Sequence, residues 1–534
     1  MNILNIVYRT VTRVPWYHGW WYHGTIHINK AAFFHFLLSK TPQKKIIEMF
    51  AQHHARNSVF TGNNKKNYAT ERRIGRTMDN KKNTSTSATS ASLSPPSWTE
   101  LQKKSQHTTV GLEMKRQSEL RKEGRAEAHT DNLLYLYNAK SEDEVRLTLY
   151  RDNAAWCPYC QKTWLMLLIK RVPFRIEKIN MRSYGDKPQQ FLAKVPNGLL
   201  PAIELDGELM TESLQIMARI EREFPGPEYK VMVPEQEFDR VNQLLGMERE
   251  LFGAWCGLIF RPSMPFGVGG TRGAFEATLD RIEEALGVTS GPWFLENHEH
   301  PSLVDLQFVS HVERMNASCL YWKGLNLRGN SRWKNIERWF QAFEEIPEYR
   351  ATKSDYYTHV MNIPPQYGPG YEDNTAEVKE AMRIINGEGD SWRLPIELNT
   401  NSLEPINVCD VGKEVEARHE AAYKLISNSK NVARFACRGA SKEGSKQFSA
   451  PLADPYAVPN EKYVDSVDAW LRVIAEAMLD GLAKPLQPSE PKKDKEIAKC
   501  LCYLRDRVGV PRDMTYPAAM QFRAHLNWAI DQLD

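Results

Sequence analysis

The order of predicted strands and helices between residues 145 and 224 constrains the fold of this 534-residue chain more than any other feature. Strand alternation and helical periodicity predict, in chain order, strand 145–150, helix 161–170, strand 174–180, strands 202–205 and 208–211, and helix 213–224. Asp206-Gly207, between the last two strands, is a two-residue hairpin signal. The order is a βαβ unit followed by a ββα unit, which predicts an α/β domain.

No further strands are predicted after Pro225-Gly226-Pro227. Apolar residues recur there at helical spacing in four stretches, 238–260, 275–286, 303–320 and 333–343. A second, all-helical domain is therefore expected. Prolines and glycines at 364–370 mark a further boundary, and the pattern beyond it is helical again.

Residues 1–130 have a different composition. They lack a sustained period and are rich in Lys, Arg, His, Asn, Ser and Thr, so we predict an extension that forms little core. Residues 1–100 hold 14 Lys and Arg against 4 Asp and Glu, so the net charge of +4 combines a basic tail with a mildly acidic body. This is unlike the basic folded face of a nucleic-acid binder. The extension is either disordered, an organelle targeting leader, or upstream sequence read into the chain.

The apolar runs and the cysteine spacing exclude two classes of protein, those that span a membrane and those stabilised by a disulfide framework. No uninterrupted run of about 18 apolar residues predicts a membrane span. Eight cysteines at irregular spacing are too few for a disulfide framework in a chain of this length, which favours a reducing compartment.

The motif Trp156-Cys157-Pro158-Tyr159-Cys160 falls between the first predicted strand and the first predicted helix. A thiol there is next to the free helix amides and the positive end of the helix dipole, which both favour the thiolate. We predict that Cys157 is a partly exposed nucleophile and that Cys160 is either a resolving thiol or a buried spectator. The alternative is half of a zinc site. However, the other close pair, Cys500 and Cys502, lies in another predicted domain at a different spacing, so we predict no metal.

Two further groups extend this candidate site. Pro201 opens the third strand and is either a cis proline or an ordinary turn proline. A cis bond would leave the N–H and C=O of Leu200 free to pair with an extended peptide ligand. At the next helix start, the amides and the Ser213 hydroxyl can hold a carboxylate and Glu212 can pair with an ammonium group, although Ser213 could equally be only an N-cap. These groups predict a site for an amino acid-like ligand whose sulfur meets Cys157.

Together, the strand order, the Cys-Pro-Tyr-Cys motif, the Leu-Pro pair before the third strand and the Glu-Ser pair before the next helix resemble the glutathione transferase superfamily, in its cysteine-type, omega-like classes. Lys187-Pro188 stands at the offset from the Leu-Pro pair that omega-like members show, so Lys187 resembles their lysine that contacts the glycyl end of glutathione. The resemblance implies that glutathione is bound by Lys187, Leu200, Pro201, Glu212 and Ser213.

The resemblance also implies the domain organisation. It gives an α/β thioredoxin-like N-terminal domain at 143–227 and an all-α glutathione-transferase C-terminal domain at 232–360. The extension at 1–130 precedes them, and an additional, mainly helical C-terminal extension of unknown role follows at 371–534. Ser302 and Asp305 resemble the family's capping box, with a role in folding rather than chemistry.

Two segments point to a subclass. Lys353–His359 and Arg505–Asp513 are similar to the iota class, which carries a long C-terminal extension in photosynthetic organisms. This similarity, together with the basic, Ser-rich leader, implies a cytoplasmic or plastid location. The arginines at 505, 507 and 512 could form an anion site or cap helix ends.

The implied activity is that of a glutathione transferase of the cysteine type with thiol transferase activity. Cys157 would form a mixed disulfide with the cosubstrate glutathione during deglutathionylation, and dehydroascorbate or quinone reduction would use the same site. The implied partners are glutathione and small electrophilic, disulfide or oxidised substrates, without nucleic acid and with a homodimer as one compatible assembly.

Two questions remain open at this stage. Trp255, Phe260, Tyr321 and Trp322 are either walls of a second-substrate pocket between the domains or core residues. The alternative to an enzyme is a non-catalytic interaction module, because transferase-like folds also occur in translation-factor subunits and in chloride-channel-like proteins with a similar Cys-Pro-x-Cys motif.

Overall fold

A five-stranded sheet and the helices beside it form the first domain of the structure. The computed structural model describes residues 95–262, 271–296, 298–441, 450–481 and 494–533. Its first elements are helices α1 (Trp98–Ser105) and α2 (Thr109–Lys122), β1 (Leu134–Tyr135), β2 (Leu147–Asp152), α3 (Pro158–Lys170), β3 (Phe174–Ile179), α4 (Gln189–Lys194), β4 (Ala202–Leu205), β5 (Glu208–Thr211) and α5 (Ser213–Glu223). The predicted βαβ and ββα units are confirmed.

The sheet has the strand order β1-β3-β2-β4-β5, in which β2 and β3 are parallel and the other neighbours are antiparallel. In the central strand β2, the buried Leu149 lies opposite Ile176 on one side and Ile203 on the other. The carboxyl end of β2, at Asp152, leads directly into the Cys-Pro-Tyr-Cys motif. The sheet therefore places the motif at the edge where the first long helix begins.

The all-helical second domain is also confirmed. Its helices are α6 (Phe238–Ile259), α7 (Arg272–Gly287), α8 (Leu303–Lys323), α9 (Lys334–Glu344), α10 (Pro347–Arg350) and α11 (Tyr356–Tyr367). Helix α8 is buried along its whole length and packs against α3, α6 and α11. The predicted capping box starts this helix: the Ser302 N–H donates to Asp305 Oδ2 over 2.8 Å, and the Asp305 N–H donates to Ser302 Oγ.

A further helical extension completes the chain, as predicted. It contains α12 (Ala376–Ile385), α13 (Glu414–Ser427), α14 (Ser429–Ala436), α15 (Val464–Asp480), α16 (Lys495–Arg505) and α17 (Tyr516–Asp531). Helices α13 to α17 share a hydrophobic core of their own, whereas Ala381 and Ile385 of α12 belong to the core of the transferase-like part. Helix α11 continues to Tyr367, past the predicted domain end at residue 360.

The prediction that residues 1–130 form little structure is wrong for their last part. Helices α1 and α2 pack on the extension: Leu101 is buried in its core, and Trp98 Nε1 donates to Asp468 over 2.7 Å. The partner surface lies more than 300 residues away in sequence, so no local period shows it. A capping box between Ser97 and Glu100 was the available sequence signal. Residues 1–94, with the targeting hypothesis, lie outside the described part of the chain.

Among the described residues, no helix combines the length and the apolar character that crossing a membrane requires.

Candidate active site

Cys157 lies at the N-cap of α3, directly after the turn that leaves β2. Two side chains hold this turn: Asp152 Oδ2 accepts a 2.6 Å hydrogen bond from the Trp156 N–H, and the buried Arg314 guanidinium donates to the Trp156 carbonyl. Pro158 occupies the first helical position, where its fixed φ suits the helix. The Cys157 sulfur is therefore held at the N-terminus of α3, where the helix dipole is positive. With 8% of its surface exposed, Cys157 is less accessible than predicted.

Cys160 lies one turn into α3 and is only 1% exposed. Burial raises the pKa of the Cys160 thiol well above its usual range, and a hydrogen bond with Cys157 raises this pKa further. The two sulfurs are therefore neighbours with unequal surroundings, since Cys157 faces the helix start and Cys160 faces the core.

Asp152 is a member of the site that the sequence analysis missed. Its carboxylate is fully buried, and Oδ1 has no hydrogen-bond partner among the described residues. One carboxylate oxygen and the sulfurs of Cys157 and Cys160 all lie within 4.8 Å of one another. These three groups could hold a metal ion, although a closed tetrahedral zinc site needs four ligands. The available signal was an acidic residue at the end of the strand that leads into the motif.

Lys187 lies beside this sulfur pair. Burial lowers the pKa of Lys187, whereas the charges of Cys160, Cys157 and Asp152 act to raise it, so the ammonium is within electrostatic range of both thiols. Its Nζ donates to the Asn180 carbonyl. Gly198, at φ +64°, passes close to the lysine stem: a Cβ on this glycine would lie 3.2 Å from Lys187 Cδ.

Leu200 and Pro201 come next along the same edge. The bond between them is cis, Pro201 is buried and Leu200 is half-buried. The main-chain N–H and C=O of Leu200 have no hydrogen-bond partner within the described ranges, so both are available to a ligand.

The N-terminus of α5 differs from the expectation in one detail. Ser213 is the first helical residue rather than the N-cap, and Glu212 occupies the N-cap position at φ +69° without a side-chain cap. A positive φ in a residue other than glycine is strained, and such strain is found most often at functional sites. Glu212 is exposed and Ser213 is half-buried, so both side chains are accessible.

A buried polar cluster behind α3 was not predicted. Lys162 Nζ donates to Gln307 Oε1 over 2.7 Å, and Glu248 lies 3.0 Å from His311 Nδ1. Burial lowers the pKa of Lys162 to about 8, an effect that Glu248, Cys157 and Glu212 oppose by their charge. The cluster therefore connects the region of Cys157 and Glu212 electrostatically to α6 and α8. Its members come from distant positions, so no local pattern reveals them.

The two iota-like segments meet beside the motif. The Val510 carbonyl accepts hydrogen bonds from Ser354 Oγ over 2.5 Å and from Trp156 Nε1 over 3.1 Å, while the Val510 N–H donates to Thr358 Oγ1 over 3.0 Å. Gly509 lies against the Trp156 ring, where a Cβ would come within 2.5 Å of Trp156 Cζ2. The extension therefore packs directly on the residue that precedes Cys157.

The aromatic residues proposed for a second-substrate pocket divide into two groups. Trp255 and Phe260 form an aromatic cluster with Tyr367, whose hydroxyl is close enough to Cys157 for their charges to interact. Tyr321 and Trp322 lie at the end of α8 and contact the extension instead. Tyr321 forms a 3.1 Å hydrogen bond with Asn386, and the Trp322 carbonyl accepts from the Asp373 N–H over 2.9 Å. The first pair is therefore linked to the region of Cys157 through Tyr367.

Comparison with known proteins identifies the two domains. The model of the glutathione S-transferase N-terminal domain matches residues 156–223, and that of the glutathione S-transferase C-terminal domain matches residues 248–342. Protein IN2-1 homolog A from Oryza sativa subsp. japonica is 28% identical over 205 residues, which cover 38% of this chain and 78% of that protein. Glutathione S-transferase DHAR2 from Arabidopsis thaliana is 29% identical over 167 residues, 31% of this chain and 70% of that protein.

Two solved structures are among those to which the chain is similar. The glutathione transferase Omega 3C structure from Trametes versicolor matches at 23% identity with a TM-score of 0.34, over 42% of this chain and 99% of that one. The dehydroascorbate reductase structure from Chlamydomonas reinhardtii matches at 21% identity with a TM-score of 0.31, over 40% of this chain and 93% of that one.

The fold and the site define a class of protein: a thioredoxin-like sheet domain with a cysteine at the start of its first long helix, joined to an all-helical domain. Residues 156–223 and 248–342 are similar to the N-terminal and C-terminal domains of the glutathione S-transferase superfamily.

Proposed function

We propose that this protein is a glutathione-dependent thiol transferase and reductase of the cysteine type, with Cys157 as the nucleophile. The observation that carries the proposal is the placement of the Cys157 sulfur at the N-terminus of α3, next to a buried Cys160 whose pKa is raised. A hydroxyl at this position would stabilise the thiolate of glutathione, whereas a thiolate can itself form a disulfide. The similarity to a relative named as a probable glutathione transferase omega-2, from Caenorhabditis elegans, supports this chemistry.

The reaction proceeds in two exchanges. The Cys157 thiolate attacks the glutathionyl sulfur of a mixed disulfide, so that a Cys157–glutathione disulfide forms while the substrate leaves as a thiolate and takes a proton from water. The thiolate of a second glutathione then attacks the glutathionyl sulfur, releases glutathione disulfide and restores the Cys157 thiolate. When dehydroascorbate is the substrate, two glutathione molecules supply the two electrons and two protons.

Glutathione lies along the edge formed by Lys187, Leu200 and the start of α5. Lys187 pairs with the glycyl carboxylate, and the free N–H and C=O of Leu200 pair with the peptide like an added strand. The Ser213 hydroxyl and the first amides of α5 hold the glutamyl carboxylate, while Glu212 pairs with the ammonium group. This arrangement directs the glutathione sulfur to Cys157.

Cys160 has a secondary role in this mechanism. Because the pKa of Cys160 is raised, it stays protonated when the Cys157 thiolate reacts. A protonated thiol does not attack the mixed disulfide, so the second glutathione resolves it instead.

A substrate panel tests the proposal. Rates with a glutathionylated disulfide, dehydroascorbate and an aromatic electrophile are compared between the wild type and the variants Cys157→Ser and Cys437→Ser. We expect loss of the first two activities only in Cys157→Ser. Full activity of Cys157→Ser with the disulfide would refute the nucleophile assignment.

One observation favours the alternative, a non-catalytic interaction module: Cys157 is only 8% exposed, and Tyr367 of α11 lies close to it. A module that does not bind glutathione would pass through immobilised glutathione without retention. Retention followed by elution with free glutathione supports the enzyme.

The cytoplasmic or plastid location stays a proposal. A relative named Glutathione S-transferase L2, chloroplastic, from Arabidopsis thaliana, 25% identical over 37% of this chain, is in keeping with the plastid alternative.

A further inference from the structure

A cavity of about 1050 Å³ lies in the extension, away from the proposed glutathione site. Its walls come from α2, α13 and α14 and from the segments around residues 453 and 512. None of the cysteines, nor Lys187, Leu200 or Ser213, lines it. A volume of this size accommodates a small organic molecule.

The floor of the cavity is apolar and buried. It is formed by Leu425, Leu452, Val508, Met514 and Phe522. Burying the apolar body of a ligand here would remove both surfaces from water, which contributes about 25 cal/mol per Å² of apolar area.

The wall carries two arginines without an acidic partner. Arg438 and Arg507 line the cavity, and neither forms an ion pair with a described carboxylate. Arg438 donates to the Asp454 carbonyl over 2.9 Å, and Arg507 to the Tyr503 carbonyl over 3.4 Å. The Nε atoms of both arginines are buried, and neither has a hydrogen-bond partner in the part of the chain that the structure describes.

Most other charged groups of the lining form ion pairs, whereas Arg121 donates to Asn132 Oδ1 over 2.8 Å. Arg512 pairs with Asp513 over 2.7 Å, and Lys424 lies 3.8 Å from Asp131. Arg434 pairs with Glu461, and Glu113 pairs with Arg116, each over 2.6 Å. Glu113, Asp131 and Asp513 of the lining therefore pair with cations other than Arg438 and Arg507.

Aromatic rings hold both arginines in place. The guanidinium of Arg438 lies 4.9 Å from the Phe435 ring centre, and that of Arg507 lies 3.6 Å from the Tyr503 ring centre. The two rings contact each other with their centres 5.4 Å apart. A stacked guanidinium loses little conformational freedom when it binds an anion, and its planar donors match a carboxylate, sulfonate or phosphate.

We propose that this cavity binds an amphipathic organic anion, whose charged group lies between Arg438 and Arg507 and whose apolar body rests on the floor. This site is separate from the proposed glutathione site and does not depend on the activity of Cys157. Of the three arginines considered from the sequence as an anion site, only Arg507 has this role, because Arg505 pairs with Asp506 and Arg512 with Asp513.

A pair of matched fluorescent probes tests the proposal on the full chain. 1-Anilinonaphthalene-8-sulfonate carries a sulfonate, and N-phenyl-1-naphthylamine has the same rings without charge. Both are titrated with saturating glutathione present. Because a hydrogen bond to a charged group contributes about 1.5 to 3 kcal/mol, the wild type is expected to bind the sulfonate about tenfold or more tightly than the neutral probe. Equal affinity for the two probes would overturn the proposal.

Variants locate the site. The double variant Arg438→Gln/Arg507→Gln is expected to weaken sulfonate binding about tenfold or more and to leave the neutral probe unaffected. Arg438→Lys/Arg507→Lys, which keeps the charge, should retain part of the affinity. Arg272→Gln/Arg281→Gln, on the exposed surface away from the cavity, is the control and should bind as the wild type does. Unchanged sulfonate affinity in both cavity variants would place the anion elsewhere and contradict the proposal.

Discussion

Two pairs of neighbouring thiols lie among the described residues, and they differ in their position on the helix and in their accessibility. Cys157 and Cys160 lie at the start of α3, whereas Cys437 is the C-cap of α14 and pairs with Cys500 of α16. The hydrogen bond from Cys500 lowers the pKa of Cys437, so the pKa direction alone would favour Cys437 as a nucleophile. The surroundings of Cys437 do not favour it as a nucleophile.

Position on the helix and access distinguish the pairs. Cys437 lies at the negative end of a helix dipole, which disfavours a thiolate, and both Cys437 and Cys500 are fully buried in the extension core. Cys157 lies at a positive end, with Lys187 and the free main chain of Leu200 along the same edge. The redox role proposed for Cys157 therefore rests on the helix start and on the adjacent edge for a partner thiol, and not on the hydrogen-bonded thiol pair alone.

The largest expected difference is in activity. Cys157→Ser should lower glutathione-dependent thiol transfer by about a thousandfold or more, as loss of a nucleophile does, whereas Cys437→Ser should leave it nearly unchanged. The measurement is the initial rate with a glutathionylated disulfide. Comparable losses in the two variants would abolish the distinction between the pairs.

Alkylation compares the pairs without a substrate. Iodoacetamide should modify Cys157 about a hundredfold faster than Cys437 or Cys500 in the native protein, because the latter react only after local opening of the extension core. Peptide mass spectrometry over a time course measures the rates. In denaturant all three should react alike. Equal native rates would contradict this account of access.

A substitution of Lys187 tests the role of the groups around Cys157 and Cys160. Lys187→Met should raise the KM for glutathione about tenfold or more through the loss of one charge-assisted hydrogen bond, with little change in kcat. Lys334→Met, at an exposed position, is the control. An unchanged KM in Lys187→Met would remove this lysine from the site.

Within the first pair, Cys160 should matter much less than Cys157. Cys160→Ser should reduce the thiol-transfer rate by about fivefold or less, because a second glutathione resolves the mixed disulfide. A loss as large as that of Cys157→Ser would indicate a dithiol mechanism.

The smallest expected effect is a shift in pH dependence at Asp152. The negative charge of Asp152 contributes to the raised pKa of Cys160, so Asp152→Asn should lower that pKa. In a Cys157→Ser background, the ultraviolet absorbance of the Cys160 thiolate should therefore develop at lower pH than with Asp152 intact. An unchanged or upward shift would show that the carboxylate does not act on this thiol.

The sequence predicted the parts of the fold that local patterns determine. Strand alternation and helical periodicity located β2 to β5 and helices α6 to α9 of the second domain, and the motif located Cys157. The edge strand β1 was missed because two residues, Leu134 and Tyr135, carry no period. Helices α1 and α2 were missed because their packing surface comes from the extension.

Sequence separation limited how many residues of the candidate site could be predicted. Lys187 was predicted from its offset from the Leu-Pro pair, and Ser213 from its position at the start of a predicted helix. The cluster of Lys162, Glu248 and His311 and the contact of Val510 with Trp156 join residues far apart in the chain, and only the folded structure brings them together.

The central claim is that Cys157 forms a mixed disulfide with glutathione, and it can be observed directly. The Cys160→Ser variant is treated with glutathione disulfide, digested and examined by peptide mass spectrometry. The account predicts one glutathionyl group, on the peptide that contains Cys157, which is removed by added glutathione. An unmodified Cys157, or glutathionyl groups spread over the other cysteines, would contradict it.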